Sequence, residues 1–261
     1  MSKNLKIFFL TTNDKIFLPL FYEKIFSVEA ESIAGVAVVD DPNFAKFLKK
    51  SLAFMGILTF CGEVLRQLII RMKNLFYSVA NPSKKMSIEA VCGRYNIPCL
   101  NIENVNGKGF GEYLNELGVT LIISVACPQI LKKAILNLPA DGCINVHYGL
   151  LPDYRGMYPS FWVLANGERE TGVTIHYMAE KIDAGAILVQ RRENILPRDS
   201  FSSLVKRLKT TIGPEALLQA IDKIRAGDKE EIENRYKEGS YYSFPTKEAM
   251  RSFKTQGRKW F

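Results

Sequence analysis

The sequence predicts an α/β protein with an open, mainly parallel sheet, helices on both faces and a short C-terminal extension. Three observations lead there. Short apolar runs rich in β-branched residues alternate with amphipathic stretches, which argues for strand–helix–strand units with right-handed crossovers. One run, Leu121-Ile-Ile-Ser-Val-Ala126, is almost wholly apolar, as a strand covered on both faces must be. A polar pair, Asn145 and His147, closes another run just before a turn-rich loop, which is how an open α/β sheet presents a site.

Leu5 to Leu10 reads as the first strand, ending in Thr11-Thr12-Asn13-Asp14 ahead of an amphipathic helix over Phe17 to Phe26. Ile33 to Val39 is a second strand, stopped by Asp40-Asp41-Pro42. Asn43 to Lys73 reads as mostly helical, in two pieces broken near Gly56, and Met86 to Tyr95 as a further helix before a short strand, Pro98 to Ile102. Gly107-x-Gly109-x-Gly111 lacks the spacing of a dinucleotide fingerprint and reads as a plain loop, followed by a helix over Glu112 to Leu117. After Leu121–Ala126, Ile130 and Leu131 begin a helix ending near Leu136. Cys143 to Val146, Thr171 to Met178 and Ala186 to Ile195 are strands, and Ser200 caps a helix from Phe201 to about Ala226. The aromatic, basic tail from Tyr241 to Phe261 reads as a small β-hairpin and a helix packed on the main body.

Composition narrows the class. With 261 residues, 47% hydrophobic and 24% charged, the chain can bury a substantial core and does not have the make-up of a disordered protein. Its most apolar stretch, Leu52 to Phe60, is too short to span a bilayer, and Met1 to Leu10 has no secretory h-region. The five cysteines are odd in number, scattered and without a C-x-x-C pair, so they read as reduced thiols and indicate no metal site. The expectation is a cytoplasmic protein with no membrane partner. A net charge of +8 suits a polyanionic ligand, whether a nucleotide diphosphate, a folate polyglutamate or tRNA.

In a strand, Asn145 and His147 project from the same side. A neutral amide donor and a titratable imidazole then aim at one point, as a reaction that forms an oxyanion while moving a proton requires. The chain has only two histidines, His147 and His176, which makes chance clustering less of a concern. The strand Thr171-Gly-Val-Thr-Ile-His176 runs into a loop carrying Asp183 just before Gly185, a carboxylate able to hold a nearby imidazolium or relay a proton through water.

Taken together, Asn145-x-His147-x-x-Leu-Leu-Pro152-x-Tyr154-Arg155-Gly156 and Thr171-Gly-Val-Thr-x-His176, with Asp183-x-Gly185 seven residues on, resemble the folate-dependent formyltransferases. The match runs roughly from Leu5 to Gln190. The resemblance implies a Rossmann-like catalytic domain over residues 1–195, a helical and aromatic extension over 196–261, and 10-formyltetrahydrofolate as co-substrate. It implies that a neutral primary amine attacks the formyl carbon. Asn145 would then donate to the developing oxyanion, His147 would act as an imidazolium, and Asp183 would steady that cation and order a proton-shuttling water. Cys127, Gln129, Ile130 and Leu131, with Ala179, Lys181 and Ile182, would line the pterin slot. Thr12, Asn13 and Tyr148 would face the acceptor. Gly149 stands where the family usually has serine, which gives that position φ freedom in place of a bracing hydroxyl. Arg155 is expected to fix its loop rather than to react.

The stretch after Asp183 is short beside the larger tRNA-binding module of methionyl-tRNA formyltransferases and similar in size to that of sugar N-formyltransferases. The expected acceptor is therefore an amino sugar linked to a nucleotide. Methionyl-tRNA, glycinamide ribonucleotide, or folate binding without turnover stand as alternatives. A homodimer is expected because relatives of this type often pair.

Overall fold

The computed structural model describes residues 3–80 and 87–261, so Met1, Ser2 and Met86, where one helix was expected to begin, lie outside the described residues. Strands β1 (Ile7–Thr11), β2 (Ile33–Val39), β3 (Cys99–Ile102), β4 (Leu121–Val125) and β5 (Cys143–His147) pair in parallel. Strands β7 (Glu170–Tyr177) and β8 (Ile187–Asn194) continue the sheet antiparallel, giving seven strands in the order β3-β2-β1-β4-β5-β7-β8. The sheet is mixed but mainly parallel, with the Rossmann-like order in which the chain moves outward through β2 and β3, then returns to the other side of β1.

Alternation along the strands splits the core in two. Ile7 and Phe9 of β1, Leu121 and Ile123 of β4, and Ile144 and Val146 of β5 face one layer. There they meet helices α1 (Leu18–Glu29), α7 (Pro159–Ala165) and α9 (Gly213–Ala226). Phe8, Leu10, Ile122 and Cys143 face the other, under α5 (Lys108–Glu116) and the single turn α6 (Lys133–Leu136). Burial on both sides explains why β1 and β4 are buried at every position. Since Cys143 points into the second layer, so do Asn145 and His147.

The remaining helices are α2 (Phe44–Met55), α3 (Ile57–Ala80), α4 (Ile88–Arg94), α8 (Phe201–Arg207) and α10 (Lys247–Thr255). Gly56, with φ +76°, breaks α2 from α3 where the sequence placed the break. Several expectations need correction. Ile130 and Leu131 do not begin a helix: the carbonyl of Ile130 and the amide of Lys132 are clamped by the Asn106 side chain, which delays α6 to Lys133. Gly109 and Gly111 lie inside α5, so only Gly107 belongs to a loop. The long helix after Ser200 is interrupted by a π-helical turn at Leu208–Ile212 just before Pro214, which has no N–H to continue an α-helical ladder. The tail forms no hairpin; β9 (Tyr241–Tyr242) pairs in parallel with β6 (Arg155–Gly156), and α10 follows.

Residues beyond 195 share the first core layer. Leu204, Leu217, Ile221 and Phe253 are buried in it, and the Phe253 ring stacks on Phe161 with centroids 5.3 Å apart. Phe253→Ala is expected to cost the whole molecule about 3–5 kcal/mol. Chemical denaturation should show one transition moving as a unit; an unshifted main transition would mean that the tail is a separable appendage.

Candidate active site

His147 ends β5, at the carboxyl edge of the parallel strands. The antiparallel register sets Asn145 directly opposite His176 of β7, so both imidazoles and the amide share one face of the sheet. Asp183, on the loop after β7, reaches between them. Its Oδ2 lies 3.6 Å from His147 Nδ1 and its Oδ1 3.5 Å from His176 Nε2, with all three side chains at most one-tenth exposed.

Hydrogen bonds assign the protons. His147 Nε2 is 3.0 Å from the Tyr154 carbonyl, which can only accept, so Nε2 carries hydrogen and Nδ1 is left facing Asp183. His176 Nδ1 is 2.8 Å from the Tyr177 carbonyl and carries hydrogen for the same reason. The His176 Nε2 lone pair then receives one N–H of Asn145, whose Nδ2 is 3.3 Å away. That contact fixes the amide with its nitrogen toward the cleft side and leaves its second N–H for another acceptor.

Charge follows from burial. Desolvation pushes His147 below its ordinary value of 6.5 despite the opposing pull of Asp183, which favours a neutral imidazole in the free site and leaves the imidazolium to form during the reaction. Burial by itself would raise Asp183. The close approach of His176 and of His147 and the N–H of Gly156 outweigh it and hold the carboxyl at about 2.

The loop around the quartet is tightly set. Gly156 donates its N–H to Asp183 Oδ2 at 2.8 Å with φ +93°, and a Cβ there would sit 2.3 Å from the Tyr242 carbonyl, so only glycine fits. Gly149 serves another purpose than the φ freedom expected of it. Its φ is not positive; a Cβ would lie 3.0 Å from His147 Nε2, so the missing side chain makes room for the imidazole. Tyr154, whose carbonyl meets His147, and Asp183 both have positive φ. Asn234, from the segment before β9, donates to the carbonyls of Asp183 and Gly185 at 3.0 and 2.8 Å and holds the loop from behind.

The other expected site residues are scattered by comparison. Gln129 spends its amide on the chain, donating to the carbonyls of Asp40 and Glu103 and accepting from Val105 N–H. Leu131 is buried in the second core layer, and Cys127 donates its thiol to the Gln129 carbonyl. Ile130 is 67% and Ile182 42% exposed, the kind of apolar surface that would cover the faces of a flat ring, while Ala179 is simply exposed. Lys181 sits over the Tyr236 ring and donates to its hydroxyl. Among the described residues the side chains of Thr12 and Asn13, which follow β1, take no hydrogen-bond partner, while Asp14 accepts from the Ile16 and Phe17 amides and binds Lys209 at 2.9 Å. Tyr148 lies under Lys209, its buried hydroxyl without a partner among the described residues. Arg155, expected to fix its loop, rests its guanidinium over the rings of Tyr236 and Tyr241. Among the described residues no group of three or more His, Cys, Asp or Glu side chains is arranged to hold a metal ion. Sequence reasoning gave no role to His176, Asn234 or Tyr236. Only the pairing of β5 with β7 exposes the first, and the other two have no local signature.

An amide, two imidazoles and a carboxylate thus converge at the carboxyl end of β5 in an open, mainly parallel α/β sheet. The family model described as formyl transferase matches residues 82–221, more than half of the chain, and the chain belongs to that family. It is 34% identical over 208 residues to a methionyl-tRNA formyltransferase of Thermotoga sp. strain RQ2, covering 76% of this chain and 66% of the relative, a little under two thirds of that protein's length. In structure it is similar to a sugar N-formyltransferase from Shewanella sp (TM-score 0.58, 20% identity, 92% of this chain and 77% of the other). Glycinamide ribonucleotide transformylase 1 from Symbiobacterium toebii gives a TM-score of 0.59 at 15% identity, covering 87% and 90%.

Both titrating groups weaken the fold as acid is added. His147 is depressed, so its contribution is complete above about pH 6.5 and drains away below, where the unfolded chain takes a proton that the site refuses. Asp183 is depressed from 3.8 to about 2, so its share, on the order of 2 kcal/mol, is lost as pH falls from about 4 to about 2. Melting temperature should therefore drop between pH 7 and pH 5, and His147→Gln should flatten that drop; an equally steep profile in the variant would show that His147 is not the group responsible. Asn234→Ala should cost about 1–3 kcal/mol, and by loosening Asp183 lower turnover about tenfold or more, measured by denaturation and steady-state assay on the same preparation.

Proposed function

We propose that this protein transfers a formyl group from 10-formyltetrahydrofolate to a primary amine, most specifically the amine of an amino sugar linked to a nucleotide. The observation that carries the reading is the convergence of Asn145, His147, His176 and Asp183 at the end of β5 in a member of the formyl transferase family. When bound, the folate supplies an activated formyl carbon. The second N–H of Asn145 donates to the oxygen that gains charge there, a contribution worth roughly 3 kcal/mol for one such donor. His147 begins neutral, and Nδ1 is its one nitrogen open to a proton. As the attacking amine gives up its proton, Nδ1 receives it, directly or through a water, beside the carboxylate that makes the resulting cation tolerable, and the proton then passes to the departing folate nitrogen as its bond to the formyl carbon breaks. His176 positions the Asn145 amide, and Gly156 and Asn234 position Asp183.

Beside Asp183, Arg155 and Lys181 gather around Tyr236, with Tyr241 half exposed next to them. Aromatic rings with cations suit an acceptor that carries both a base and phosphates. A nucleotide sugar meets both demands. The second reading, methionyl-tRNA, is favoured by the name of the Thermotoga relative and by a net charge of +8.

The deciding experiment offers 10-formyltetrahydrofolate with dTDP- and UDP-linked amino sugars, glycinamide ribonucleotide or methionyl-tRNA, and follows release of tetrahydrofolate. Turnover should be confined to a nucleotide sugar; turnover on tRNA alone, with steep salt dependence, would overturn the acceptor assignment. Asn145→Ala, His147→Ala and Asp183→Asn should each lower kcat about 100-fold or more with circular dichroism unchanged. Folates that neither turn over nor shift the melting temperature would remove the chemistry altogether.

A further inference from the structure

Helix α3 turns an apolar face outward. At 3.6 residues per turn, positions 57, 58, 65, 68, 69 and 72 fall within about a third of its circumference. Ile57, Leu58, Leu65, Leu68, Ile69 and Met72 there are between 44% and 87% exposed. The opposite side is the packed one: Phe60 lies against the main core, Glu63 accepts from the Trp260 indole, and Arg66 sits over the Phe261 ring. The pair α2–α3 precedes the stretch that matches the family, and it adjoins the site, since Phe47 and Phe54 pack on Tyr158 in the loop after His147.

Its charge is one-sided. Lys46, Lys49, Lys50, Arg66, Arg71 and Lys73 stand against a single acid, Glu63, which Arg66 already engages at 2.8 Å. Arg71 and Lys73, both exposed, fall on opposite borders of the apolar stripe by the same helical spacing. An apolar stripe edged by cations is the make-up of a helix lying in the surface of an anionic bilayer, with side chains among acyl groups and cations among headgroup phosphates. We infer that α2–α3 docks the protein on an anionic lipid surface. No helix among the described residues is long and apolar enough to cross a membrane, but lying on one requires no such length. The expectation of no membrane partner rested on spanning length alone.

The test floats the full chain with vesicles of phosphatidylcholine alone or of phosphatidylcholine with phosphatidylglycerol. The protein should float with the anionic vesicles and stay behind with the neutral ones. Leu65→Glu with Ile69→Glu should lower partitioning by more than about tenfold, and Arg71→Gln or Lys73→Gln by roughly fivefold each, with melting temperatures unchanged. Equal flotation with both vesicle types, or none with the anionic ones, overturns the inference. If sedimentation velocity then shows a dimer that the double variant splits, the face belongs to a second copy of this chain.

Discussion

One buried carboxylate organises this molecule's chemistry. Asp183 accepts from the Gly156 amide, faces two imidazoles and stands with a left-handed backbone conformation on the loop after β7. A charge so shielded from water survives because every neighbour is a donor or a potential cation. The same shielding keeps His147 neutral until a proton arrives. The site is thus at rest with its acceptor atoms arranged and its cation still to be made.

The sheet makes this arrangement possible. Parallel strands deliver Asn145 and His147 to one edge, and the change of direction at β7 brings His176 alongside Asn145. Alternation of side chains then separates the work: the face with Ile144 and Val146 is packed under α7 and α9, while the face with Asn145 and His147 is left for chemistry beyond the thinner cover of α5 and α6. Stability and reactivity draw on neighbouring residues of the same five-residue strand.

Much of this was legible in the chain. Apolar runs marked the buried strands, Gly56 marked a helix break, and the spacing of Asn145, His147 and Asp183 marked the three groups now found together. What escaped reading depends on contacts distant in sequence. Asn106 unwinds the start expected at Ile130, and Tyr242 requires Gly156. His176 gains its meaning only from strand pairing. The role of Gly149 was misassigned because one sequence cannot show that an imidazole occupies the space beside it. The ionisation of His147 likewise depends on how much water is excluded, which no local pattern records.

The clasp of Asn234 on the Asp183 loop, with β9 laid along β6, has an evolutionary corollary. Segments far apart in the chain share the task of aiming one carboxylate. Exchanging the C-terminal portion between homologues to graft a new specificity would unseat that carboxylate unless the Leu150–Gly156 loop travelled with it. Chimeras in this lineage should therefore succeed in matched pairs of segments, and natural divergence of either piece should leave a compensating trace in the other.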